Sequence, residues 1–297
     1  MNSIQYSKTL SHKKLFQYIS KYNFYPKKKL SQNFLIDRNI SSIIVKSLDL
    51  NDNDAVFEIG TGLGSLTLAL IPSVRHVFSI EKDISLKTLL DDILADYQKY
   101  VTVIYDDILS FDLSGFLESK IGEGYKIEKI VGNLPYSISL PLLTKLMQMH
   151  SFLKMAVVMI QKEVAERMLA YPGEKSYGII SVISQYYSNI EKIHIVKPSV
   201  FYPKPEVDSM IIRINFFDKP LVLVENELLF FEVIRAVFQQ RRKNVANSLK
   251  IYFKDKIEKD KLENMLIKMG YSPDKRGEEF SIQEFARLTA EIQGIIK

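Results

Sequence analysis

The sequence predicts an α/β fold: a parallel sheet with helices on both faces, followed by a small all-helical domain. Three observations carry this. Five short apolar runs, at 55–59, 76–80, 101–105, 127–131 and 154–160, alternate with segments of helical periodicity. A glycine-rich turn, Gly60-Thr61-Gly62-Leu63-Gly64, joins the first run to the helical pattern after it. From about Asn226 onward the pattern is helical only. Strands that alternate with helices make parallel sheets joined by right-handed crossovers.

The elements follow in order. Residues 1–29 interleave basic and aromatic side chains: Lys13, Lys14, Phe16, Tyr18, Lys21, Tyr22, Phe24 and Tyr25, then Lys27-Lys28-Lys29. Such a segment can neutralise phosphates while its rings stack on bases; the plain alternative is a solvated arm or a short amphipathic helix over the core. Asp37 is a good N-cap for a helix whose apolar positions are Ile40, Ile43, Ile44 and Leu48. After the glycine turn, Leu66 and Leu68 begin a helix that ends near Pro72, and the second run ends in Glu81-Lys82-Asp83. Leu86, Leu89, Leu90, Ile93 and Leu94 form a helix stripe, and the third run ends in Asp106-Asp107. The fourth run leads into Asn133-Leu134-Pro135-Tyr136 and a periodic segment over 139–149, and the fifth ends at Gln161-Lys162-Glu163. Beyond it, 178–187 reads as helix and 190–196 and 207–217 as strands, flanking Phe201-Tyr202-Pro203-Lys204-Pro205. Helical segments near 227–239, 244–252, 258–269 and 282–295 complete the chain. The domains expected are an arm over 1–29, an α/β domain over 30–222 and a helical domain over 223–297.

Composition narrows the class. With 297 residues, 46% hydrophobic and 25% charged, the chain is long enough to bury one large core or two unequal ones. There is no cysteine, so disulfides, thiolate metal sites and a cysteine nucleophile are excluded, and four scattered histidines leave no metal site expected. The net charge of +5 is compatible with a polyanionic partner. The longest apolar runs are too short to span a bilayer, and the basic first 29 residues hold no apolar segment of a secretory signal. A soluble cytoplasmic protein, monomeric and without membrane contact, is expected.

In an open parallel sheet, ligands bind beyond the carboxyl ends of the strands at the point where strand order reverses. Those ends hold Gly60 to Gly64, Glu81, Asp107 and Asn133. Glycines such as Gly60 and Gly62 let backbone approach a ligand without Cβ collisions. Glu81, 21 residues after Gly60, suits a carboxylate that accepts from ribose hydroxyls, and Asp107 can accept from an adenine amino group. A nicotinamide site is the obvious rival, but Ser65 stands where its third glycine belongs. Glu58, two residues before the first glycine, is tolerable beside a cofactor without phosphates. S-adenosylmethionine (SAM) meets these terms: it is cationic and carries ribose and adenine. Asn133 to Tyr136 can clamp a second flat ring. The Asn side-chain oxygen and the Leu134 carbonyl accept from an exocyclic amine, Pro135 fixes φ and Tyr136 stacks on the ring. Taken alone, those four residues also make an ordinary strand-to-helix turn.

Together these pieces resemble a known family, the small-subunit ribosomal RNA adenine dimethyltransferases, which are related to the erythromycin-resistance RNA methylases. The resemblance runs from about Lys27 to the C-terminus through Gln32-Asn33-Phe34-Leu35, 58–67, Glu81, Asp107, Asn133 to Tyr136, 161–167, Tyr177-Gly178, 201–209 and 238–243. It implies a Rossmann-like SAM-dependent methyltransferase that dimethylates two adjacent adenines at N6, in a loop near the 3′ end of 16S RNA of the small (30S) subunit. It also implies that Asn33, Leu35, Gly60, Glu81, Asp107 and Asn133 line the SAM pocket. Asn133, Leu134 and Tyr136 would hold the target adenine, with Phe201 on its other face. Lys27, Lys28 and Lys29, with Arg241, Arg242 and Lys243, are the phosphate-contact candidates; a solvated face is the alternative for both groups. Three departures stand out: Ser31 and Thr61 replace the family's usual Gly and Pro, and the N-terminal arm is long. The rivals are a resistance methylase acting on large-subunit RNA and a non-catalytic RNA-binding assembly factor. The intact clamp and cofactor acids argue against the second.

Overall fold

The computed structural model describes residues 12–240, 243–254 and 257–296. Two strands, β1 (Phe34–Leu35) and β8 (Phe201–Tyr202), form an antiparallel ribbon. The others make a seven-stranded sheet: β2 (Asp54–Ile59), β3 (His76–Glu81), β4 (Val101–Tyr105), β5 (Lys126–Asn133), β6 (Met155–Gln161), β7 (Ser188–Val196) and β9 (Ser209–Phe216). All six residues of β2 and all six of β3 are buried, as strands covered on both faces must be. The sheet order is β4-β3-β2-β5-β6-β9-β7. The first five of these strands run parallel to one another. Strand order reverses between β2 and β5, so the switch point lies beyond Ile59 and Asn133.

The far edge departs from the parallel sheet that the sequence predicts. β9 runs antiparallel to β6, with Met155 opposite Asn215 and Gln161 opposite Ser209. Apolar periodicity marks a strand, but its polarity is set by the end of the sheet at which the chain re-enters.

The chain divides into two compact units: the described residues up to Ala165 together with Asn189–Asp218, and Glu166–Ser188 together with the chain from Lys219 on. Residues 166–188 thus fall in the second unit, although they precede the 222/223 boundary read from the change to a purely helical pattern. In the first unit, α2 (Arg38–Ser47) starts at Asp37, whose side chain accepts from the Asn39 and Ile40 amides. Here α1 (His12–Lys21) buries Leu15 and Ile19, and with Phe24 they join the core around Phe34, Leu35, Ile40 and Phe201. Over residues 12–24 the basic and aromatic segment is therefore an amphipathic helix and its exit, with Lys13 and Lys14 exposed. The second unit contains the helices Ile179–Tyr187, Glu227–Gln239, Val245–Phe253, Lys259–Lys268 and Ile282–Ile296. Its core is aromatic: Tyr177, Phe230, Phe280 and Phe285 are fully buried, and the Tyr177 hydroxyl donates to the Phe280 carbonyl at 3.0 Å.

Leu15 is 1% exposed, so Leu15→Ala should destabilise the first unit by about 2–4 kcal/mol, the cost of a buried leucine side chain and the cavity it leaves. Denaturant unfolding checks this; a loss under about 0.5 kcal/mol would mean that α1 lies on the surface without contributing to the core.

Candidate active site

The sheet's geometry opens a cleft at the switch point. It is lined by residues 29–34, by Ile59, Gly60 and Gly62 after β2, and by Ile80, Glu81 and Lys82 at the end of β3. Asp106, Asp107 and Ile108 after β4 and residues 133–138 after β5 complete it. Two close approaches set its floor. A Cβ on Gly132 would stand 2.6 Å from the Ile59 carbonyl oxygen, so only glycine lets β2 and β5 meet there. Gly62 has φ +54, and a Cβ on it would meet the Phe34 ring at 3.0 Å.

Glu81 is 8% exposed. Its Oε2 accepts from the Gly62 amide at 2.9 Å and its Oε1 from the Asp83 amide at 2.8 Å. Burial raises its pKa, against the pull of those amides. Two backbone donors hold the carboxylate in one orientation and leave further lone pairs for a diol. Asp107 follows the neighbouring strand β4 and pairs with Lys82, whose Nζ donates to Oδ2 at 2.6 Å; that hydrogen bond, with the Leu109 amide on Oδ1, holds its carboxyl below the usual range. The acids Glu81, Asp106 and Asp107 line one cleft, which fits a cationic, phosphate-free cofactor better than a dinucleotide.

On the other side, the Asn133 Nδ2 donates to the Asn33 carbonyl at 2.8 Å. The amide is thereby oriented, and Oδ1 is left as its acceptor. The Leu134 amide donates to the Met159 carbonyl at 3.0 Å, and Pro135 closes a turn in which its carbonyl accepts from Ile138. The Tyr136 hydroxyl shares a 2.7 Å hydrogen bond with the Ser209 hydroxyl, and burial raises its pKa. A neutral, tethered ring beside an amide oxygen and a lipophilic turn can hold a flat amino-bearing ring.

The structure brings Asn33, Gly60, Gly62, Glu81, Asp107 and residues 133–136 to the cleft, but not Leu35 or Phe201. Those two are register partners in the β1–β8 ribbon, 5% and 4% exposed, and their side chains belong to the core. Their ribbon neighbour Phe34 does line the cleft, so in this ribbon it is Phe34, and not Leu35 or Phe201, that reaches the ligand side. Lys27 is also otherwise engaged: its Nζ donates to Asp83 Oδ1 at 2.6 Å and Ser85 Oγ at 2.7 Å. Lys28, Lys29 and Lys243 are exposed; Arg241 and Arg242 lie outside the described residues.

Sequence reasoning missed a buried network under the glycine turn. The Thr67 and Ser79 hydroxyls both donate to Glu58 Oε2, at 2.6 and 2.9 Å. Since the Ser79 hydrogen is used there, Thr61 is the donor in its 2.7 Å contact with Ser79. Thr61, one of the departures from the resembling family, thus extends this network by a hydroxyl that proline cannot supply. Glu58 is fully buried and its Oε1 is without a partner. Burial pushes its pKa up to about 8, outweighing the two hydroxyl donors. The sequence signal was Glu58 itself, an acid inside an apolar strand.

The profile of the family described as "Ribosomal RNA adenine dimethylase" matches residues 23–292. A protein of Clostridium botulinum (strain Loch Maree / Type A3) named "Ribosomal RNA small subunit methyltransferase A" is 40% identical over 278 residues, 94% of this chain and 98% of its own. Among solved structures, a dimethyladenosine transferase from Plasmodium falciparum superposes with a TM-score of 0.72 at 25% identity, over 88% of this chain and 98% of its own. The 23S rRNA methyltransferase ErmE superposes at 0.65 with 22% identity, over 88% and 100%; at that identity the likeness is one of fold.

Glu58 also makes a pH prediction. Its ordinary pKa of 4.5 rises to about 8 in the folded chain, so between those values the folded state binds a proton that the unfolded state has lost, and stability falls as pH rises. Glu58→Gln is expected to flatten the decline in unfolding free energy between pH 5 and 8, measured by denaturant titration at several pH values. Parallel pH profiles for both proteins would show that Glu58 does not hold the extra proton.

Proposed function

The chain belongs to the ribosomal RNA adenine dimethylase family, and from that premise we propose that it transfers methyl groups from SAM to N6 of two adjacent adenines near the 3′ end of 16S RNA, within the small ribosomal subunit. The observation that carries the reading is the juxtaposition of two half-sites in one cleft: the tethered Glu81 carboxylate, and Asn133 with its amide oriented by Asn33. Relatives 40% and 42% identical over 94% and 91% of this chain are named for the small subunit, which favours it over the large-subunit substrate of the resistance methylases. Among the described residues no helix is long and apolar enough to cross a membrane. We assign the second unit, with Lys243, Arg241 and Arg242, to RNA contact, alongside Lys28 and Lys29. A cytoplasmic monomer belongs to this reading.

In the proposed mechanism Glu81 would accept from the cofactor's ribose hydroxyls and Asp107 from its adenine amine, and the Cβ-free Gly60 and Gly62 would leave room for it beside the backbone. Bound there, SAM supplies an electrophilic methyl group. Tyr136, fixed by Ser209, stacks on the target base. The Asn133 Oδ1 and the Leu134 carbonyl accept the hydrogens of its amine, whose lone pair is otherwise delocalised into the ring. Acceptance of both hydrogens by these two oxygens would favour a pyramidal nitrogen, whose lone pair is then free of the ring. The same oxygens face the positive charge that develops on nitrogen, an electrostatic effect that is strong in a water-poor site. No general base is needed, because the alkylated ammonium is acidic enough to lose its proton to water. After one transfer a single hydrogen remains, and either acceptor can take it. Leu134 and Pro135 set no polar group against the methyl already attached. Leu35 and Phe201 support the site from the core behind β1. Adenines in an unpaired loop leave their stack at low cost.

Mass spectrometry of small-subunit RNA digested after exhaustive reaction should find dimethyladenosine; a product that stops at monomethyladenosine, or none, refutes the reading. Glu81→Ala should weaken SAM binding by about 1–3 kcal/mol, the scale of hydrogen bonds to a charged group, and calorimetry on the folded variant tests it. Neutralising Arg241, Arg242 and Lys243 together should lower RNA affinity and flatten its salt dependence, by roughly one unit of slope for each phosphate no longer neutralised, leaving SAM affinity unchanged. An unaltered slope would make the cluster a solvated face.

A further inference from the structure

We propose that Lys27 and Gln32 are positioning residues that act on cofactor binding through Asp83, so that residues 27–33 work as a strap tying the cofactor half of the cleft to the base half. The proposal rests on the reading of the cleft as a SAM site. Asp83 follows Glu81 by two residues, and its carboxylate is 2% exposed. Four donors satisfy it. Lys27 Nζ, the Ser85 amide and the Ser85 hydroxyl bond Oδ1 at 2.6, 3.1 and 2.6 Å, and Gln32 Nε2 bonds Oδ2 at 2.8 Å. The Gln32 Oε1 in turn accepts from the Lys27 amide at 2.7 Å, so both ends of that side chain are fixed. The backbone amide of this same Asp83 is one of the two donors that orient Glu81.

The strap's other end is tied to the base side. The Asn33 carbonyl takes the Asn133 Nδ2 at 2.8 Å, and the Ser31 hydroxyl donates to the Ser137 hydroxyl at 3.0 Å. Ser31 holds a left-handed backbone, φ +50, where glycine is the easier residue, so its hydroxyl adds a contact to a position that would otherwise only turn. Residues 29–33 line the cleft between these anchors, whereas Lys27 and Asp83 do not. An effect of Lys27 on the cofactor therefore has to pass through the turn that carries Glu81. An ion pair on the open surface would contribute little, but a carboxylate this buried that loses a partner is left under-satisfied. The turn from Glu81 to Ser85 then relaxes toward water and takes the Asp83 amide with it. Positioned groups depend on such supporting contacts for their alignment.

The test is SAM affinity by calorimetry, without RNA, for Lys27→Met, Gln32→Leu and Lys27→Arg beside the wild type, with thermal transitions and steady-state kinetics on RNA in parallel. Lys27→Met and Gln32→Leu should each weaken SAM binding by about fivefold to tenfold and raise the KM for SAM in proportion, and Lys27→Arg should keep SAM affinity within about twofold of wild type. If the Met and Leu variants bind SAM as the wild type does and only their transition temperatures fall, the knot is purely structural and the inference is overturned. Should Lys27→Met fail to fold, Lys27→Gln decides on the same criterion, since Lys27, unlike Gln32, does not line the cleft. A wild type that does not bind SAM overturns the methyl-transfer reading and this inference with it, whereas wild-type binding with unaffected variants overturns the inference alone.

Discussion

The site hangs on the contact between β2 and β5 at the switch point. Gly132 packs so close to the Ile59 carbonyl that no side chain fits between them, and this brings Gly60 and Asn133 to adjacent strand ends. A Cβ on Gly60 would itself stand 3.7 Å from the Asn133 carbonyl. Both half-sites diverge from this point: one runs through the glycine turn to Glu81, the other through Asn133 to Tyr136. A wider spacing of these strands would separate the methyl donor from its acceptor. Alignment of the two is the part of methyl transfer that a protein can supply most cheaply.

Around that contact the polar groups are arranged so that backbone, more than side chain, does the orienting. Amides of Gly62 and Asp83 hold Glu81, and the carbonyl of Asn33 holds Asn133. Backbone groups lose little entropy when a ligand arrives, because the fold has already fixed them. The cost is that the loops bearing them must themselves be held. Asp83 with its four donors does this on one side, and Ser209 does it for Tyr136 on the other. Glu58 belongs to the same layer but works differently: a carboxyl buried without a cation, satisfied on one oxygen only and therefore neutral at neutral pH. A neutral acid beneath Glu81 spares that carboxylate a like charge at short range.

Most of the fold was legible because it is written in periodicity. The strands at 55–59, 76–80, 101–105, 127–131 and 154–160 and the helices from 227 onward recur in the structure within a residue or two of their predicted bounds. Burial of β2 on both faces goes with a mostly apolar run, interrupted only by the buried Asp54 and Glu58, and such runs are visible without coordinates. The cleft's lining was legible for a related reason: ligands gather at strand ends, and Glu81, Asp107 and Asn133 are the polar residues that end those runs.

What the sequence determined by itself is thus the set of elements, the sheet end that carries the chemistry and the residue types gathered there. Tertiary structure alone decided which of those residues face the cleft and which are held by other side chains. Leu35 and Phe201 look like ligand contacts in a motif, yet they face each other in a ribbon and belong to the core. Lys27 reads as one of three free cations, yet Asp83, 56 positions away, takes it. The antiparallel turn of β9 and the grouping of 166–188 with the C-terminal helices were likewise invisible to pattern. The physical reason is the same in each case. Periodicity reports burial along one element, whereas a hydrogen bond or ion pair between residues 50 to 100 positions apart depends on where the chain returns, and local sequence does not encode that return.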